Sequence, residues 1–101
     1  MTDQTVALTI IQQLGGIGKL QSMIAAHEIS YTENLLRFKF KGCRKFDTII
    51  IRLNGLDLYD IEFIRFNKTT FELTNKKEFT NIYADMMKGL IEKETGLYLS
   101  L

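Results

Sequence analysis

The period of the apolar positions changes twice along the chain. Val6, Ala7, Ile10, Ile11 and Leu14 recur at helical spacing and predict an amphipathic helix over residues 4–14. Gly15-Gly16 follows, the residue type that commonly ends a helix in a left-handed conformation. Ile17, Leu20, Met23 and Ile24 predict a second, shorter helix running to about Ala26. Leu8 lies off the first apolar stripe and is either exposed or meets another part of the fold. From Ile29 the period becomes two. Ile29 and Tyr31 alternate with Ser30 and Thr32, Glu33-Asn34 is turn-like, and Leu36, Phe38 and Phe40 alternate with Arg37, Lys39 and Lys41. Residues 42–46 read as a loop, and the β-branched run 48–53 as a central strand.

Asn54-Gly55 is a hairpin signal, with 58–66 as the returning strand. The apolar parity of that strand changes between Phe63 and Ile64, which predicts a bulge or bend there. Asn67-Lys68 is a further turn, and residues 70–74 are a last strand with Phe71 and Leu73 on one face. Asn75-Lys76-Lys77-Glu78 is a loop-sized polar interval. The rows Ile82/Met86/Leu90 and Tyr83/Met87/Ile91 predict a helix over 81–95, with Thr80 or Asn81 as N-cap and Gly96 as C-cap. Leu97, Tyr98, Leu99 and Leu101 then fold back onto the core. Strands joined by short turns imply an antiparallel meander. Helices at both ends of the chain imply one helical layer. The expected architecture is therefore a single α+β domain: four or five antiparallel strands, with N-terminal helices and a C-terminal helix packed on one face. The other face stays at least partly open, and function is expected there.

Composition narrows the chemistry. The chain has 101 residues, 46% apolar and 25% charged, with one His and one Cys. Such a chain can bury roughly two-thirds of its unfolded surface, enough for one core without metal or disulfide staples. A lone Cys43 excludes a disulfide framework and a multi-Cys zinc site. A net charge of +1 excludes a strongly basic, histone-like binder. No apolar run reaches the roughly 20 residues needed to span a bilayer. Met1-Thr2-Asp3-Gln4 shows no basic region leading into an apolar core, so no signal peptide and a cytoplasmic location are expected.

Catalytic motifs are incomplete. Gly15-Gly16-Ile17-Gly18-Lys19 approaches the phosphate loop G-x-x-x-x-G-K followed by Ser or Thr. Gln13 stands at the first Gly, and Leu20 stands where the hydroxyl should meet Mg²⁺. The segment reads as a helix–helix turn. His27-Glu28 is not H-E-x-x-H, because Tyr31 holds the place of the second His, and His27 reads as a surface or helix-terminal residue. Asp57, Asp60 and Glu62, with Asp47 nearby in sequence, are the only carboxylate cluster for metal chemistry. The competing reading is a hairpin pair of Arg52 across from Asp57. Asn67-Lys68-Thr69 fits a glycosylation acceptor, but without a secretion signal it marks only a turn. No cofactor and no enzymatic activity are expected.

Charge is unevenly placed. Residues 35–53 hold Arg37, Lys39, Lys41, Arg44, Lys45 and Arg52 against Asp47 alone, while 54–66 hold Asp57, Asp60 and Glu62 against Arg65. Arg37, Lys39 and Lys41 share one strand face at about 7 Å spacing, close to the phosphate spacing of a nucleic-acid strand. Arg44 and Lys45 extend the row into the adjoining loop. Three readings fit: a solvated strand whose cations prevent edge-to-edge association, a nucleic-acid contact, or a contact with an acidic protein. A stacking aromatic on the same face is missing, with Tyr31 and Tyr59 the nearest candidates.

Four segments, Ile11-Gln12-Gln13-Leu14-Gly15-Gly16, Asp57-Leu58-Tyr59-Asp60-Ile61-Glu62-Phe63, Ile82-Tyr83-Ala84-Asp85 and Thr95-Gly96-Leu97-Tyr98-Leu99-Ser100-Leu101, carry a resemblance. In that order they resemble a family of small proteins encoded by bacteriophages, prophages and other mobile elements. Members often carry M-T-G-A-K after the glycine pair. Met23-Ile24-Ala25-Ala26-His27 stands there instead, without the glycine and the lysine. The resemblance transfers no activity and no catalytic residue. It implies a setting, that of a phage-type accessory protein in the bacterial cytoplasm. The expectation is a non-enzymatic protein that binds a host or phage protein, with defence machinery among the candidate targets. The alternative is nucleic-acid binding through the basic strand and loop 37–45. A two-fold homodimer through a strand edge or Leu8 is open.

Overall fold

The computed structural model describes residues 5–67, 69–70 and 72–97. Five strands form one sheet in sequence order: β1 (His27–Thr32), β2 (Leu35–Lys39), β3 (Thr48–Leu53), β4 (Tyr59–Phe66) and β5 (Leu73–Ile82). Every neighbouring pair is antiparallel. This is the meander that short connections impose, and β3 is its centre. Three helices, α1 (Thr5–Gln13), α2 (Ile17–Ile24) and α3 (Ala84–Thr95), complete the α+β fold.

Strand alternation divides the sheet. Leu36, Phe38, Ile49, Ile51, Tyr59, Ile61 and Phe63 join Ala7, Ile10, Leu14, Leu20, Ile24, Met87 and Ile91 in one buried cluster. That face carries the helices. The register then fixes rows across the opposite face. One row runs Ser30, Arg37, Ile50, Glu62, Glu78. Beside it on one side lie Lys39, Thr48, Ile64 and Lys76, and on the other Leu35, Arg52 and Asp60. Ile64 is buried to 5% exposure yet stands outside the main cluster, because it faces away from the helices.

Helix ends follow the predicted punctuation. Gly15 (φ 107°) and Gly16 (φ 97°, ψ 160°) turn the chain between α1 and α2 in a region open to glycine. In the Gly-Gly-Ile-Gly-Lys segment, Gly15-Gly16 are thus the helix–helix turn, and Ile17-Gly18-Lys19 open α2. α2 ends at Ile24, two residues before the position the pattern suggests, with Ala25 as its C-cap in the left-handed region (φ 55°). Leu8 is 55% exposed. Gly96 caps α3 in the left-handed region, its N–H donating to the Glu92 carbonyl at 2.9 Å.

Three local expectations are corrected. The predicted last strand and C-terminal helix have a different boundary: β5 extends through the polar interval to Ile82, and α3 starts at Ala84 with Tyr83 as N-cap and no side-chain cap bond. β5 is a sheet edge, so its backbone pairs with β4 while most of its side chains meet water, and no apolar alternation marks it. Asn54-Gly55 is not a two-residue turn. Residues 54–58 form a longer loop in which Asp57, not Gly55, has positive φ (59°). Asn54 organises that loop, its Oδ1 accepting from the Leu56 and Leu58 amides at 2.9 and 3.2 Å. The parity change at Phe63–Ile64 is not a bulge, because both residues pair in regular register, with Lys77 and Lys76. It marks apolar residues passing to the second face. The register shifts lie instead between Tyr59 and Ile61 and between Arg65 and Phe66. Phe71, Tyr98, Leu99 and Leu101 lie outside the described residues.

Candidate functional site

β2 positions the basic row. Its inward residues Leu36 and Phe38 are fully buried, so Arg37 and Lys39 project from the opposite face. Lys41, just past the strand, lines the same cleft as Arg37 and Lys39. The cleft has a volume of about 470 Å³, and His27, Glu28, Asp47 and Phe66 complete its main walls.

β1 contributes through an irregularity. Glu28 has positive φ (49°), and the β1–β2 register shifts between His27 and Ser30. Glu28 thereby reaches Lys39 Nζ at 2.9 Å. The Lys39 ammonium holds the Glu28 carboxyl below its usual range, through a charge-assisted hydrogen bond first and Coulomb attraction second. Both side chains are largely exposed, so water screens the pair. Arg37 and Lys41 form no ion pair among the described residues. They remain available to an outside anion.

His27 sits where α2 gives way to β1. Its Nδ1–H donates to the Ala25 carbonyl at 2.8 Å, which leaves Nε2 as the acceptor in the neutral ring. Two candidate nucleophiles are placed elsewhere among the described residues: Ser22 Oγ donates to the Gly18 carbonyl at 2.7 Å, and Cys43 lines a different cleft. Asp47 is occupied structurally, accepting from Thr48 Oγ1 at 3.0 Å and the Phe66 amide at 3.3 Å.

The six predicted cations do not form one patch. Arg37, Lys39 and Lys41 share the cleft. Arg44 and Lys45 lie with Gly42 and Cys43 along the C-terminal end of α3, facing Lys93, Glu94, Thr95 and Gly96 across a cavity of about 300 Å³. That placement suits the negative end of the helix dipole. The loop is tied down elsewhere, with Asn75 Nδ2 donating to the Lys45 carbonyl at 3.2 Å. Arg52 is on the sheet face with Arg37, but the residue across from it is Asp60, not Asp57. The longer loop 54–58 shifts the partner by three positions.

An aromatic side chain does accompany the cations, and it is Phe66 rather than either tyrosine. Tyr59 is buried on the helix-covered face, where burial pushes its phenol pKa up. Tyr31 pairs with Leu36 and so belongs to that side too. The parity change at Ile64 was the sequence signal for Phe66, since it moves the end of β4 onto the second face. The same face turns acidic beyond β3. Glu62 follows Arg37 and Ile50 in one row, Glu78 follows Glu62, and Asp60 lies beside them. Asp60 Oδ1 accepts from Asn54 Nδ2 at 3.0 Å and the Asn81 amide at 3.1 Å. Among the described residues, no three His, Cys, Asp or Glu side chains gather as a metal-holding group. The face as a whole therefore has a basic side on β2, a net acidic side on β4 and β5, where Glu78 pairs with Lys76 at 3.9 Å, and a half-buried Ile50 between them.

Comparison with family models, curated proteins and solved structures gives no match for this chain. No helix among the described residues is long and apolar enough to cross a membrane.

Proposed function

We propose that this chain is a non-enzymatic interaction protein that docks a partner protein of host or phage origin on the sheet face opposite its helices. The setting is that of a mobile-element accessory protein in the bacterial cytoplasm, with host defence machinery among its candidate targets. The observation that carries the reading is the divided charge of the face. Arg37, Lys39 and Lys41 lie to one side of Ile50, and Asp60, Glu62 and Glu78 to the other. A phosphate backbone laid across this face meets repulsion on its acidic half. A protein surface can match both halves and bury Ile50 between them.

The test is co-purification of the tagged chain from bacterial lysate, split into nuclease-treated and untreated halves and eluted with rising salt. A protein that survives nuclease, elutes with salt and is lost on both Arg37→Glu and Glu62→Arg is the expected outcome. A second reading, nucleic-acid binding, is favoured by one feature: Phe66 lines the same cleft as Arg37 and Lys41, a stacking surface beside two cations. In that case nucleic acid comes off the untreated half steeply with salt, and Lys39→Glu with Lys41→Glu abolishes binding while Glu62→Arg does not.

A further inference from the structure

The charge pattern of the open face is complementary to itself. β2 and β4 each lie one strand spacing, about 4.8 Å, from the central β3. Two such sheets can stack face to face about a two-fold axis in only two simple ways. An axis across the strands sets β2 on β2 and β4 on β4, so like charges meet. An axis along β3 sets β2 of one copy on β4 of the other.

The register supplies the pairs. In the central row Arg37 comes over Glu62 of the second copy, and Ile50 meets Ile50 on the axis. Glu78 comes over Ser30, and Lys76 comes over the bulged end of β1 that carries Glu28. Lys39 comes over Ile64. Arg52 meets its own copy, with an Asp60 beside it in each protomer. Sheets stacked about 10 Å apart with a small twist between them are an ordinary packing.

We infer that the partner of this face is a second copy of the chain, docked about a two-fold axis running along β3 so that Arg37 of each protomer meets Glu62 of the other. The inference rests on the reading that this face docks protein, and it puts a second copy of this chain in the place of a host protein there. A symmetric contact of this kind uses each charged pair twice.

Light scattering or sedimentation across a concentration series tests it on the full chain, with circular dichroism confirming that each variant is folded. Wild type is expected to be a dimer that weakens as salt rises. Arg37→Glu or Glu62→Arg alone is expected to weaken it about tenfold or more, because each creates two like-charge contacts. Arg37→Glu with Glu62→Arg in one chain restores the dimer. So does an equal mixture of the two single variants, whose charges match only in the mixed dimer. Arg37→Gln and Glu62→Gln, which remove charge without reversing it, weaken it less. A folded wild-type chain that is monomeric at every concentration overturns the inference, as does a dimer indifferent to both reversals. The wider reading is judged separately. If the chain is monomeric but still captures a lysate protein that both reversals release, only the identity of the partner was wrong. If capture ignores both reversals, the face is not the docking surface.

Discussion

Asp60 lies on the open face, yet its carboxylate works within the chain. Oδ1 accepts from Asn54 Nδ2 and from the Asn81 amide, and Asn54 Nδ2 also donates to Asn81 Oδ1 at 2.9 Å. Three segments meet at these three residues: the loop after β3, the start of β4 and the end of β5. Asn81 is held with positive φ (56°), a conformation asparagine tolerates better than most side chains. Asp60→Ala is expected to cost about 1–2 kcal/mol, because the part-buried Asn54 amide loses one of its two acceptors and the exposed Asn81 N–H loses its side-chain acceptor. Asp60→Asn should recover part of that loss, since an amide oxygen still accepts. Glu62→Ala, one strand period away, should stay within about 0.5 kcal/mol of wild type, as surface changes usually do. Urea denaturation of the three variants checks the order, and equal midpoints for Asp60→Ala and Glu62→Ala would refute the role of Asp60. This network was not legible in the sequence. Asn54-Gly55 is a turn signal on its own, and nothing in it tells that Asn54 reaches a residue 27 positions away.

At the scale of elements, the sequence reads well wherever an element buries a periodic face. α1, the inward face of β2 and the whole of β3 stand where the apolar pattern puts them. β5 does not announce itself, because an edge strand needs few anchors. Phe79 supplies one, edge-on to the Phe63 ring at 6.0 Å, and Lys77 supplies another by pairing with Glu94 of α3. The apolar run through Ile82 and Tyr83 then joins strand to helix, so that periodicity alone places the helix start too early. Tyr83 and Met86, expected in the stripe, are exposed. Helix ends are better marked, because they depend on backbone conformation more than on packing. A Cβ at Gly96 would meet nothing within 4 Å, so the cost of a side chain there is conformational alone. Gly96→Ala is expected to lose about 1 kcal/mol, the penalty of a left-handed Cβ. At the end of α2 the situation is reversed. Ala25→Gly relieves that same penalty, offset partly by the freedom glycine gains in the unfolded chain, and is expected to be neutral or to gain up to about 1 kcal/mol. Thermal denaturation should move several degrees down for the first and not down for the second. A drop in both would place the control of these helix ends elsewhere.

For the whole molecule, one sheet face holds the core under the helices, and the other is the face proposed to dock a partner. The helix-covered face holds Phe63 fully buried between Phe46, at 5.4 Å between ring centroids, and Phe79. Phe63→Ala is expected to cost about 3–5 kcal/mol through lost burial and the cavity left behind. That is a large share of the roughly 5–15 kcal/mol that holds a domain together. Arg37, by contrast, is exposed and makes no ion pair among the described residues, so Arg37→Glu should leave the urea midpoint nearly unchanged while weakening association. The comparison must be made at protein concentrations low enough to keep the chain monomeric, because a dimer adds its binding free energy to apparent stability. The sequence made the first face plain, because burial imposes a period. It made the second only half plain: the cations stood out, but the acidic half belongs to the next hairpin, and only the strand register sets Glu62 in one row with Arg37. Should Arg37→Glu lower the monomer's midpoint as Phe63→Ala does, the faces are not separable, and the charge row would be part of the fold rather than a surface kept for a partner.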